Sequence, residues 1–259
     1  MANNDCYSTK ILEFEEGLFD EFIDMTYIIT MEDSPRNKKI IEEIERVKPT
    51  KKVVIVFNPG YKKCKKTLFN KEINTTAEDI IHVNKYIYNK SKKLNNILIL
   101  EDDAEFSDEV FDQKHINNLK KFMNNNEFNT YSLGSIKLLN SLFGINRRLF
   151  VKIGTHAMIY SKKFRKNVNF SKYTEIDYIT NIPFNMNGWG YYRTLVGQVF
   201  EKTINSTNWP FGLWIFQPIL YYFTRNNCVK GIDLLNLIIK IIWMIIFIVV
   251  FMFICRKWI

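Results

Sequence analysis

The chain has 259 residues, 47% of them hydrophobic and 15% aromatic, enough to bury a full core; this excludes a disordered polymer and a small disulfide-stapled scaffold. Its formal net charge is +9, from 36 Lys and Arg against 27 Asp and Glu. The basic residues are mostly lysine and are spread along the chain, which speaks against nucleic acid as the partner.

No basic start followed by an apolar run opens the chain, so no secretory signal is expected. Residues 10–23 mix acids and apolar side chains at helical spacing and predict a leading helix within an amino-terminal extension, residues 1–23. Residues 25–31 predict the first core strand; Ser34 and Pro35 then supply an N-cap and the proline favoured in a first helical turn. Ile40, Ile41, Ile44 and Val47 fall on one face of a helix that Pro49 ends. Residues 52–57 predict a second buried strand, closed by the turn signal Asn58, Pro59, Gly60.

Lys62, Lys63, Lys65 and Lys66 form a basic loop, read first as solvated and second as a contact for phosphate or anionic lipid. Cys64 lies inside it. It and Cys6, Cys228 and Cys255 are far apart, which predicts neither a disulfide framework nor a metal pair, and a reducing compartment. Thr76 with Asp79 has the form of a capping box; Ile80, Val83, Ile87 and Leu94 mark the inward face of the helix that follows. His82 on this helix and His115 on a later one have no partner that the sequence names.

Ile97, Leu98, Ile99 and Leu100 then run straight into Glu101, Asp102 and Asp103. A short unbroken apolar run predicts a strand buried on both faces, and the acids fall where it leaves the sheet, the place where α/β folds bind ligands. Clustered carboxylates are hard oxygen ligands suited to Mg²⁺ or Mn²⁺; a solvated turn is the plainer reading. Beyond them, Phe111, Ile116, Leu119, Phe122 and Met123 predict a helix, and residues 131–134 and 151–160 predict strands of a more mixed half. Trp189, flanked by Gly188 and Gly190, predicts an exposed turn whose ring could stack on a sugar, as could Tyr191, Tyr192, Trp209 and Trp214.

The order of strands and helices predicts an α/β domain over residues 24–228, a mixed sheet flanked by helices with right-handed crossovers. Residues 234–255 contain only Asn236 and Lys240 as strongly polar members, and Arg256 and Lys257 follow. About 20 apolar residues cross a bilayer, so a transmembrane tail over residues 232–255 is expected, with the main domain on the cytosolic side.

Four motifs in this order resemble glycosyltransferase family 25, the lipopolysaccharide-biosynthesis type, over roughly residues 25–210. They are Tyr27, Ile28, Ile29, Thr30 and Met31 with Ser34, Pro35 and Arg36; residues 97–103; Gly154, Thr155, His156 and Ala157 running on to Lys163; and Glu175, Ile176, Asp177 and Tyr178. Gln198, Thr203, Asn205 and Trp209 are similar to the ending of viral members. The chain departs from the family at Thr30 and Met31, where Asn-Leu is common. The resemblance implies a GT-A-like, Rossmann-like fold and inverting transfer of a sugar, often galactose, from a nucleotide-diphosphate donor to a glycan, lipid or protein acceptor. It implies Asp102 and Asp103 as ligands of Mn²⁺ or Mg²⁺, and Thr30, Arg36, Glu101, Gly154, Thr155 and His156 around the donor. Inversion needs a base for the acceptor hydroxyl, for which Asp177 is the first candidate and Glu175 the second. Two other readings stand beside it: an inactive, membrane-anchored relative that binds glycans or acts as a scaffold, and a magnesium-dependent nucleotidyl- or phosphotransferase.

Overall fold

The computed structural model describes residues 6–169, 187–200 and 216–256. Strands β1 (Ser8–Glu13), β2 (Met25–Met31) and β3 (Lys52–Asn58) come first, with helix α1 (Asn37–Val47) between the last two. Two short strands, β4 (Thr67–Leu68) and β5 (Lys71–Glu72), lead to α2 (Thr76–Lys90), β6 (Asn96–Glu101) and β7 (Ala104–Phe106). Then follow α3 (Gln113–Asn125), β8 (Thr130–Ser132), β9 (Ile136–Asn140), β10 (Asn146–Ile153), β11 (Ala157–Ser161) and α4 (Lys162–Asn167). The last described elements are β12 (Gly188–Tyr191), β13 (Val196–Gln198), α5 (Gln217–Thr224) and α6 (Cys228–Arg256).

Nine strands make one mixed sheet in the order β1-β3-β2-β6-β11-β8-β12-β10-β9. Strand β2 runs parallel to both β3 and β6, whereas β11 pairs antiparallel with β6. The chain therefore leaves β2 towards β3 on one side and returns to β6 on the other. By the general rule for open α/β sheets, that reversal is where a ligand crevice forms, beyond the carboxyl ends of β2 and β6.

Residues 97–100 are each at most 2% exposed, with Leu98 and Leu100 in the cluster beneath α1 and α3, and Ile97 and Ile99 in the cluster beneath α2. This is the two-faced burial expected of an apolar run between helical layers.

Several expectations are corrected. Residues 8–13 form an edge strand antiparallel to β3 rather than the start of a helix, so this part of the expected extension belongs to the sheet. The capping box lies one residue earlier, between Thr75 and Glu78. The run over residues 151–160 breaks at Gly154, whose φ of +97° suits glycine, into β10 and β11. Trp189 sits in β12, half-buried against Phe122 at 5.1 Å between ring centroids, and is no exposed stacking platform.

Cys6 and Cys64 are joined in a disulfide, with Cα atoms 5.9 Å apart, which corrects the expectation of unpaired thiols. Sequence spacing was blind to it because β1 carries Cys6 to the end of β3, beside the basic loop. Such bonds persist in oxidising compartments. Closing a loop with a sequence separation of 58 stabilises by about 4 kcal/mol on the chain-entropy account. A Cys6→Ser variant is therefore expected to lose roughly that much in denaturant melts, and reduction of the native chain to lower its melting temperature likewise.

His82 and His115, without partners in the sequence reading, both face tyrosines. Tyr7 OH lies 2.6 Å from His82 Nδ1, and Tyr191 OH lies 2.7 Å from His115 Nδ1. Helix α6 is the one described helix long and apolar enough to cross a membrane, by length and composition.

Candidate functional site

At the crevice between β2 and β6, Asp102 and Asp103 follow directly from the buried strand β6. Asp102 has partners on both oxygens: Ser34 Oγ donates to its Oδ2 at 2.6 Å, Thr30 Oγ1 lies 2.9 Å from the same oxygen, and Arg36 Nη2 stands 3.3 Å from Oδ1. These contacts hold the turn that joins β2 to α1. The amide of Asn37 reinforces it through the carbonyls of Met31 and Glu32.

Asp103 is placed differently. Its Oδ2 accepts from Gln198 Nε2 at 2.6 Å and faces Arg36 Nη1 at 3.3 Å, while its buried Oδ1 has no hydrogen-bond partner among the described residues. Burial raises the Asp103 carboxyl above the usual carboxylate range, and the bonds to Gln198 and Arg36 oppose that rise. Arg36 thus bridges both aspartates with one guanidinium.

Strand β11 brings the second motif against the first, with Ala157 opposite Leu100. The Glu101 amide donates to the His156 carbonyl at 3.0 Å, and Thr155 Oγ1 donates to Glu101 Oε1 at 2.6 Å. Burial first, and the nearby Asp103 charge second, raise the Glu101 carboxyl well above its ordinary range. His156 Nε2 donates to the Val196 carbonyl at 3.0 Å, an acceptor that fixes the proton on Nε2. Its Nδ1 is buried and unpartnered among the described residues, and burial pulls the ring down to about 4, so it is neutral near pH 7.

Thr30, Arg36, Glu101, Asp102, Asp103, Gly154, Thr155 and His156 all lie about this crevice, as does Gln198 from the last motif. Glu175 and Asp177 lie outside the described residues, as do Thr203, Asn205, Trp209 and Trp214. Lys152 was not foreseen. Its ammonium donates to the Gly154 carbonyl at 2.8 Å, and burial, opposed by Glu101, brings it down to about 7. The available signal was a lysine in the apolar second half of its strand, Leu149–Ile153, next to the Gly-Thr-His-Ala motif.

Fitness for a divalent cation turns on free oxygens. Among the described residues no group of three or more His, Cys, Asp or Glu is arranged to hold a metal ion. Both oxygens of Asp102 already have a partner, Oδ1 through one 3.3 Å contact with Arg36. Asp103 Oδ1 has none among the described residues, and Mg²⁺ is commonly held by one or two carboxylates, with substrate phosphates and waters completing its octahedron. The residues fit a cation brought in with a diphosphate, not a site built wholly from protein ligands.

Among the described residues, the basic loop reaches this region only through Lys63, whose Nζ pairs with Asp33 at 2.9 Å on the turn after β2. Lys66 turns inward, with Nζ 2.6 Å from Asp79 Oδ1 and 2.5 Å from Asn58 Oδ1, while Lys62, Lys63 and Lys65 stay exposed.

No family model matches the chain, and no curated protein matches it. Among solved structures, the crystal structure titled "Crystal Structure of A197 from STIV" superposes with a TM-score of 0.41 at 11% identity, covering 67% of this chain and 82% of that chain. A likeness that slight carries no inference.

Proposed function

We propose that this protein is a membrane-anchored glycosyltransferase of the family 25 type, moving a sugar such as galactose from a nucleoside-diphosphate donor to a glycan, lipid or protein acceptor with inversion. One observation carries the reading: three motifs far apart in sequence, the turn after β2, the acidic end of β6 and the Gly-Thr-His-Ala strand, meet where the strand order reverses.

Arg36, about a third exposed, is placed to turn from the aspartates towards a donor diphosphate, while Lys152, brought down to about 7 by burial, lies behind Glu101. The Thr155 hydroxyl holds the Glu101 carboxyl, leaving it to orient the turn or to meet the donor ribose. A Mn²⁺ or Mg²⁺ ion held by Asp103, with Asp102 recruited only if its present donors move, would offset the charge of the leaving diphosphate. The acceptor hydroxyl attacks the anomeric carbon, the bond to the diphosphate breaks, and the hydroxyl proton passes to a base, for which Asp177 and then Glu175 are proposed. Helix α6 serves as the anchor. The Cys6–Cys64 bond favours the oxidising side of that membrane over the cytosolic one.

A second reading has its own support: Arg36 already neutralises both aspartates, as in a relative that keeps the fold and binds glycans without turnover. Release of nucleoside diphosphate from a panel of sugar nucleotides, with and without Mn²⁺, separates the two. Release from at least one donor is expected; no release from any donor, with glycan binding intact, would overturn the enzymatic reading.

A further inference from the structure

Helix α6 is not a free rod. Cys228, Ile232 and Leu235 are buried against the domain, and the continuously exposed apolar stretch begins only at Ile241. Residues 241–255 rise about 22 Å, against roughly 30 Å of hydrocarbon in a bilayer. Filling that thickness takes about 20 residues, which carries the span back to the level of Asn236.

At that level the helix is fastened to the domain. Asn236 Oδ1 accepts from the Lys137 amide at 2.7 Å, and Trp243 Nε1 donates to the Leu138 carbonyl at 2.7 Å. Both partners lie on β9, so whatever surrounds Trp243 also surrounds the β9–β10 hairpin. The tip of that hairpin is apolar and bare: Phe143 is 81% exposed, with Leu142 and Ile145 exposed beside it. The Phe143 ring lies 5.9 Å from Lys240 Nζ on the helix. Of the other elements packed against α6, which include β13 and β7, α5 exposes Ile219 and Tyr222.

From this arithmetic and these contacts we infer that the protein is seated in the membrane by this whole edge, with the tip of the β9–β10 hairpin dipping into the same leaflet that α6 enters. The occupant of the apolar edge is a lipid bilayer. Tyr222 suits the interfacial belt, Arg147 can meet anionic headgroups from the rim, and the long stem of Lys240 can carry its ammonium back to them. The inference rests on α6 being a bilayer helix and adds a second, independent contact.

The test uses the full chain, one copy per lipid nanodisc containing anionic lipid, with Cys255→Ser as background because Cys228 is buried. Nitroxide labels are placed singly at Phe143→Cys, Ile248→Cys and Lys38→Cys, and their collision rates with oxygen and with a water-soluble nickel chelate are compared. The expected result is that positions 143 and 248 both favour oxygen while position 38 favours nickel, a reversal in sign of the logarithmic ratio. If 143 behaves like 38 while 248 stays in the bilayer, the inference fails and the anchor stands. If all three favour nickel, the anchor reading fails with it. Protection of 143 only in discs carrying two copies would assign the edge to a second copy of the chain and also overturn the inference.

Discussion

Asp103→Asn is expected to lower sugar transfer by about 10²- to 10³-fold while leaving the protein folded. Asparagine keeps the size of the side chain and an oxygen that can accept from Gln198, but it removes the negative charge from the one carboxylate that, among the described residues, has a free, buried oxygen. Because burial already raises the Asp103 carboxyl, losing its charge should leave the melting temperature unchanged or slightly higher. Asp102→Asn should behave differently. Its carboxylate holds Ser34, Thr30 and Arg36, so loss of the charge loosens the turn after β2 and costs stability as well as turnover. Steady-state kinetics and thermal melts on both variants check this; full activity in Asp103→Asn would remove Asp103 from the chemistry.

The second large effect concerns a site with no part in that chemistry. Lys66→Met is expected to destabilise the fold by roughly 3–5 kcal/mol, because it strands the Asp79 carboxylate among buried groups. Both members of the pair are essentially buried, with side-chain exposures of 0% and 4%. Asp79 also accepts from the Tyr61 amide and from Asn58 Nδ2, so a double Lys66→Met, Asp79→Leu variant should recover only part of the loss. Chemical denaturation of the two variants measures this. A loss under about 1 kcal/mol for the single variant would mean that water reaches the carboxylate.

What the sequence made legible follows from how local each signal is. Residues 97–100 could be read because burial on both faces leaves an unbroken apolar run, and the acids then had to fall at its end. The meeting of Thr155 with Glu101 could be anticipated only through the order of motifs, since β6 and β11 lie far apart in the chain. Arg36 as a bridge between Asp102 and Asp103 could not be read, because a guanidinium on a turn gives no sign of where it points. The edge strand β1 was mistaken for helix because its solvent-facing residues carry mixed charge and the run is short. Glycines misled in a particular way: Gly190 looked like a turn signal, but a Cβ there would come within 2.9 Å of the Leu149 side chain, so the residue serves close packing inside a strand.

Strand β9 ends the nine-stranded sheet, and its outward backbone groups would otherwise be open to pairing with another chain. Two side chains of α6, Asn236 and Trp243, meet the amide of Lys137 and the carbonyl of Leu138. A fragment cut before Cys228 would therefore keep the described side chains of the β2–β6 crevice yet expose an adhesive rim. Trimming the greasy tail to gain solubility would invite clumping.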